Sequence, residues 1–179
     1  MPAAIYLIRH CQAVSQAPQA PLTPLGLTQA ETLCNFARVP LAGIVSSPYA
    51  RAVATARPLA TMRALAVATD PRLIEHNVCP DDRPDWRHHL ARFFEDLDYA
   101  LPGGETSHAA MTRGRAAIET LFELDAPVAA VTHGKLLTLI LGSVVGGYSL
   151  AEWQKLTNTD VFRLSRDGGV ERLWWGESV

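Results

Sequence analysis

Three short stretches of this chain place reactive side chains directly after apolar runs: Arg9-His10, Ser46-Ser47-Pro48-Tyr49-Ala50-Arg51 and Thr132-His133-Gly134. Two histidines and two arginines, without paired cysteines or adjacent carboxylates, suit an oxyanion better than a metal ion, because a guanidinium fork matches phosphate oxygens. A phosphoryl group is the expected guest. An imidazole nitrogen is a competent nucleophile toward phosphorus when it is unprotonated and aligned with the leaving oxygen. For His10, the nearby Arg9, Arg51 and His133 disfavour protonation. The departing alkoxide needs a proton, and Glu75, just after a third strand candidate, is placed in sequence to supply it.

The elements that must position these groups alternate between strand and helix. Residues 3–8 form a continuous apolar run, suited to a strand buried on both faces and ending at Arg9-His10. Pro18, Pro21 and Pro24 mark the next segment as a loop. Leu27, Ala30, Leu33, Cys34 and Ala37 then recur at helical spacing until Arg38-Val39-Pro40 closes the pattern. Residues 43–46 read as a second buried strand, 51–63 as an Ala-rich helix and 66–69 as a weaker strand. The stretch 107–124 reads as a helix, 127–132 as a strand that again delivers a histidine, and 135–145 as a further helix. Alternation on both sides of Asp167-Gly168-Gly169 predicts a C-terminal hairpin over 161–175. The fold class predicted is α/β: a three-layer α/β/α sandwich with a mostly parallel central sheet and an edge hairpin. In such sheets ligands bind beyond the carboxyl ends of the strands, where the three reactive stretches lie.

With 179 residues, 48% hydrophobic and 19% charged, the chain is expected to form a single domain over 1–179, with a partly helical, lid-type insertion at about 75–105. A net charge of −2 with no Lys/Arg run speaks against a nucleic-acid surface. No apolar stretch approaches membrane-spanning length and no basic leader precedes the first strand, so a cytoplasmic protein without membrane contact is expected. Cys11, Cys34 and Cys79 are odd in number and lack paired metal-ligand spacing, which predicts reduced thiols and no structural zinc. His76, His88, His89 and His108 show no metal spacing either and are expected mostly at the surface. Phe93, Phe94 and Trp86 either line a leaving-group pocket or pack the insertion. Glu105 is a candidate cap for the helix that follows it. Trp174-Trp175 belong to the edge strand or to a subunit contact, which leaves a homodimer open.

The chain resembles the histidine phosphatase superfamily, also called phosphoglycerate mutase-like, over nearly its whole length. The family's opening strand and Arg-His-Gly motif look like Ile5-Tyr-Leu-Ile-Arg9-His10-Cys11, and its Leu-Thr-x-x-Gly-x-x-Gln-Ala element stands as Leu22 to Ala30. Its Ser-Ser-Pro-x-x-Arg-Ala-x-x-Thr-Ala segment is Ser46 to Ala56. Leu73-Ile74-Glu75 is similar to the segment supplying the proton donor. Pro102-Gly103-Gly104-Glu105-Thr106 resembles the Gly-Gly-Glu-Ser turn, and Val131-Thr132-His133-Gly134 resembles the second-histidine motif.

The resemblance implies that His10 becomes phosphorylated, that Arg9, Arg51 and His133 bind the phosphoryl group, and that Glu75 acts as general acid and then base. It implies no metal and no organic cofactor, and a small phosphoester as substrate. The chain departs from the family at Cys11, which stands where the family has glycine, so that an added side chain is expected to narrow or tilt the pocket. Positive charge beside the thiol would make it redox-sensitive by lowering its pKa; a packing role is the alternative. Cys11, Gln12, Gln16 and Thr23 are the candidate substrate contacts. A phosphatase acting on a phosphomonoester is the leading function. Its alternatives are a phosphoglycerate mutase-type phosphotransferase, a phosphohistidine-protein phosphatase, and a catalytically impaired phosphate-binding protein.

Overall fold

The computed structural model describes residues 3–36, 39–78, 86–147 and 149–175. Cys79 and residues 79–85 of the expected insertion lie outside them, as do Ala37 and Arg38 and the side chains of Trp86, Trp174 and Trp175.

Six strands form one sheet: β1 (Ala4–Arg9), β2 (Gly43–Ser46), β3 (Val67–Thr69), β4 (Val128–Thr132), β5 (Asp160–Ser165) and β6 (Val170–Trp175), in the order β3-β2-β4-β1-β5-β6. The pairs β3/β2, β2/β4 and β4/β1 are parallel, while β5 runs antiparallel to β1 and β6 antiparallel to β5. The edge hairpin and mostly parallel sheet are those expected. Its turn is fixed by Gly168, whose φ of +88° favours glycine.

The uninterrupted apolar runs of β1 and β4 are explained by helices on both faces. Ile5, Leu7, Val128 and Ala130 point into one cluster with Leu136, Leu137 and Ile140, which belong to α5 (Gly134–Val145), and with Ala117 and Ile118 of α4 (Ser107–Phe122). Ala4, Tyr6, Ile8, Ala129 and Val131 point into the other, with Leu33 of α1 (Pro24–Phe36) and Ala52, Ala56 and Leu59 of α2 (Ala50–Arg63). Period-two alternation of the pleat sends neighbouring apolar residues to opposite layers. The result is the α/β/α sandwich.

Two further helices are short: α3 (Arg92–Glu95), between β3 and α4, and α6 (Leu150–Gln154), between α5 and β5. Single turns of 3₁₀ helix at Pro71–Leu73 and Trp86–His89 precede α3. Thr106, not Glu105, caps α4, its side chain accepting from Ala109 N. Among the described residues no helix is long and apolar enough to cross a membrane.

Candidate active site

His10 follows β1 without a break, its N–H continuing the ladder to the Thr132 carbonyl at 2.9 Å. Nδ1 lies 2.6 Å from the Cys11 carbonyl, an acceptor, so this nitrogen carries the proton. Nε2 therefore presents its lone pair, and Arg51 Nε donates to it at 3.1 Å. The imidazole is buried, and burial, with the Arg51 and Arg9 charges adding to it against the Cys11 carbonyl, holds its pKa down to about 3. The ring is thus neutral, with a defined tautomer, at any ordinary pH.

The loop carrying His10 is clamped on three sides. Asn158 Nδ2 donates to the His10 carbonyl at 2.7 Å, and Thr55 Oγ1 accepts from Cys11 N at 2.9 Å. Thr23 Oγ1 accepts from Gly26 N at the start of α1 and donates to Gln12 Oε1 at 2.7 Å. A Cβ on Gly26 would stand 2.0 Å from the Gln12 carbonyl oxygen, so only glycine lets α1 approach this loop. Gln29 Oε1 accepts from Gln12 N, and Gln29 Nε2 donates to the Asn158 carbonyl. The Leu22–Ala30 motif thus serves as a clamp on the segment after His10.

Arg51 lies in the first turn of α2 and is 1% exposed. Its Nη1 donates to the Gln16 and Ala17 carbonyls, and Tyr49 lies against its guanidinium, 5.1 Å from ring centroid to Cζ. His133, at the carboxyl end of β4, is fully buried. Its ring meets those of His10 and Tyr49, each at 5.0 Å between centroids, and its Nε2 pairs with Ser47 Oγ at 2.8 Å. Burial, followed by the charges around it, keeps it neutral. Arg9 Nη1 donates to the Leu156 carbonyl, while the rest of its guanidinium crosses Gly134, where an added Cβ would stand 3.1 Å from Nε. Arg9 Nε and His133 Nδ1 are buried without a hydrogen-bond partner. Such groups are costly unless an acceptor meets them, and an oxyanion would.

Glu75 reaches this end of the sheet by another route. Its Oε1 accepts from His76 N at 2.9 Å and Leu136 N at 3.0 Å, and its Oε2 from Lys135 N at 3.3 Å. The carboxylate therefore sits on the first turn of α5, which favours negative charge. Its charge acts on both Arg9 and Arg51. The segment that carries it is held by Arg113 of α4. That guanidinium donates to the Arg72, Ile74 and Glu75 carbonyls at 2.8 to 3.1 Å and makes a two-point pair with Glu105 at 2.7 and 2.8 Å. His76 is buried, not at the surface as expected. Its Nε2 donates to the Glu105 carbonyl, and burial with the Lys135 charge lowers its pKa to about 4.

Of the four candidate substrate contacts, Cys11 is the one whose placement departs from the expectation. The Cys11 side chain is fully buried in a small cluster with Leu22 and Ala30 and accepts from Thr159 Oγ1. It does not narrow the site, and burial raises its pKa instead of lowering it. Gln12 and Thr23 bond to each other, and Gln16 offers its backbone carbonyl to Arg51. Arg113, Lys135 and Asn158 were not among the sequence candidates. Arg113 stands eight residues after Glu105, two helical turns on. Lys135 is the one charge opening an otherwise apolar helix. For Asn158 the sequence carries no signal.

A neutral imidazole nitrogen, a buried guanidinium against it, two further donors without partners and a carboxylate at a helix start are groups that phosphoryl transfer can use. The sequence model of the histidine phosphatase superfamily (branch 1) matches residues 5–175, and the chain belongs to that superfamily. A probable phosphoglycerate mutase GpmB of Yersinia pestis (strain Pestoides F) is 29% identical over 182 residues, covering 89% of this chain and 83% of its own. The mycobacterial glucosyl-3-phosphoglycerate phosphatase solved with inorganic phosphate is 26% identical, with a TM-score of 0.74 and coverage of 98% and 97%. A phosphoserine phosphatase mutant from Entamoeba histolytica, solved with phosphoserine, shares the fold at 17% identity, with a TM-score of 0.76 and coverage of 97% and 96% of the two chains.

Proposed function

We propose that the protein is a phosphomonoester hydrolase that works through a phosphohistidine on His10. The observation that carries this is the tautomer of His10: Nδ1–H is committed to the Cys11 carbonyl, which leaves the Nε2 lone pair facing Arg51 Nε at 3.1 Å. A nucleophile must be unprotonated and aimed, and here both conditions are met without a separate base.

In the first step Nε2 attacks phosphorus, the bond to the ester oxygen breaks, and Glu75, which takes up its proton from a monoanionic ester or keeps the one left by the preceding turnover, gives that proton to the departing alkoxide. The Arg51 N–H that holds Nε2 passes to a phosphoryl oxygen, and Arg9 Nε and His133 Nδ1 are free to bind the others. In the second step water attacks phosphorus, Glu75 takes the water's proton, and the P–N bond breaks to return the electron pair to Nε2. One ester and one water give one alcohol and one phosphate. We propose a single domain over 1–179, in which the lid-type insertion at about 75–105 contributes Glu75, Phe93 and Phe94 from its described parts.

A mutase is the second reading, favoured by the likeness to the Yersinia protein. Product analysis separates the two, since a mutase keeps the phosphate on carbon-bound oxygen. The deciding experiment is phosphate release from a generic aryl phosphate in EDTA, with wild type and His10→Ala prepared identically, together with alkaline-quench trapping of protein labelled from a radioactive phosphoester. Turnover and an acid-labile label that both vanish in His10→Ala are expected. Equal turnover in the two proteins would overturn His10 as the nucleophile.

A further inference from the structure

Lys135 is 5% exposed, and its Nζ is buried without a hydrogen-bond partner. It stands 4.2 Å from the Phe93 ring centroid and 4.7 Å from that of Phe94. Aromatic faces attract an ammonium charge, but they do not supply the oxygen acceptors that its three N–H groups take. Among the described residues no carboxylate forms an ion pair with it. Burial, against the pull of Glu75, brings its pKa down to about 7. An ammonium held in this way is a donor awaiting an acceptor, as are His133 Nδ1, two residues before it, and Arg9 Nε, which lies against Gly134.

Its position says which part of a substrate would bring that acceptor. The Lys135 backbone N–H donates to Glu75, the residue assigned to the leaving oxygen, and the side chain runs beneath Phe93 and Phe94 beside His76. Arg9 and His133 stand at the same helix start, His133 as its N-cap residue and Arg9 against Gly134. Phe93 is fully buried, whereas Phe94 is half-buried and meets Trp153 at 6.5 Å, so Phe94 is the outer wall. Lys135 thus lies on the side of the site where Glu75 sits, and among the described residues its ammonium has no oxygen partner, whereas Arg9 and Arg51 each donate to a backbone carbonyl.

We propose that Lys135 is a specificity-determining residue that binds an anionic group, a carboxylate or a second phosphate, on the leaving-group half of the substrate. The preferred substrates are then acidic phosphomonoesters. This rests on the phosphoryl site proposed above and names its substrate class.

The test is calorimetric, so that it needs no turnover. Methylphosphonate, phosphonoacetate and methylenediphosphonate are titrated into the full chain, wild type and Lys135→Met, at about pH 6, where the ammonium is charged. The wild type is expected to prefer one of the two doubly acidic ligands over methylphosphonate by about tenfold or more, and the preferred one identifies carboxylate or phosphate. In Lys135→Met that ratio should fall to about one. Lys135→Leu serves as a second uncharged variant, with near-ultraviolet circular dichroism confirming the fold of each. A wild type that binds methylphosphonate without preference would overturn the assignment of Lys135 alone, as would a ratio that survives in the variants. Failure of the wild type to bind any of the three would overturn the phosphoryl site, and this proposal with it.

Discussion

The two flanks of the site, that of the proposed nucleophile His10 and that of Glu75, the proposed proton donor to the leaving group, are built by different means. On the nucleophile flank, His10 and His133 end adjacent parallel strands, β1 and β4, and Arg51 lies in the first turn of the helix after β2. Strand pairing alone brings these groups together: His10 N and Ser47 N both continue the ladder onto β4 carbonyls. On the leaving-group flank, Glu75 and His76 follow a 3₁₀ turn, and Phe93 and Phe94 lie on a four-residue helix. There the backbone follows no ladder, and side chains do the holding, with Arg113 making five hydrogen bonds across Glu105 and the Glu75 segment. A repeating backbone pattern places groups at strand ends by default, whereas irregular segments need a dedicated staple.

This contrast can be broken at several points. Glu75→Gln should lower kcat by roughly 10²- to 10⁴-fold on alkyl phosphates and much less on aryl phosphates, whose leaving groups depart without a proton. A loss equal for both substrate types, measured by phosphate release, would remove Glu75 from the acid role. Arg113→Met leaves the nucleophile flank untouched but frees the segment that carries Glu75. A misplacement of about 1 Å is worth on the order of 10²-fold. The expected signature is a fall in kcat on alkyl esters with KM and aryl-ester rates little changed. A uniform loss on all esters would make Arg113 a residue of general stability rather than a positioning residue for Glu75.

Thr23→Ala removes the cap of α1 and the hydroxyl bond to Gln12, and should cost about 1 kcal/mol in denaturant unfolding. No measurable cost would argue that Gln29, Asn158 and Thr55 hold the loop after His10 without help from Thr23. The smallest effect is expected on acidification. Because His10 titrates at about 3 in the folded protein, its lone pair survives through the range where an ordinary imidazole is protonated. On an aryl phosphate without a second acidic group, which calls on neither the Glu75 proton nor the Lys135 ammonium, kcat/KM corrected for substrate ionisation should therefore stay flat between about pH 7.5 and pH 5.5, since it reports groups of the free enzyme. An acid limb near pH 6.5 would show that His10 carries a proton there. Stability behaves oppositely: the unfolded chain takes up this proton below about pH 6.5 and the folded chain only near pH 3, so stability falls across that window.

Much of the nucleophile flank was legible in the residues themselves. Apolar runs of five or six residues ending in Arg9-His10 and Thr132-His133 had few other ways to fold than as buried parallel strands, whose carboxyl ends share one edge. Cys11 shows the limit. Beside two arginines it read as an obstruction or an activated thiol, yet the side chain turns into the cluster of Leu22 and Ala30, because the loop leaves β1 in that direction. His76, among charges and turns in the sequence, is buried by Phe93 from a segment that follows it by 17 residues.

What the sequence by itself determined was the layered fold and the grouping of His10, Arg51 and His133, since both follow from local periodicity and the geometry of parallel pairing. Only the tertiary structure decided the tautomer of His10, the inward turn of Cys11, the staple of Arg113 on Glu75 and the burial of Lys135 beneath Phe93 and Phe94. Each of these depends on which side chains meet across distant segments of irregular backbone, and no local pattern encodes such meetings.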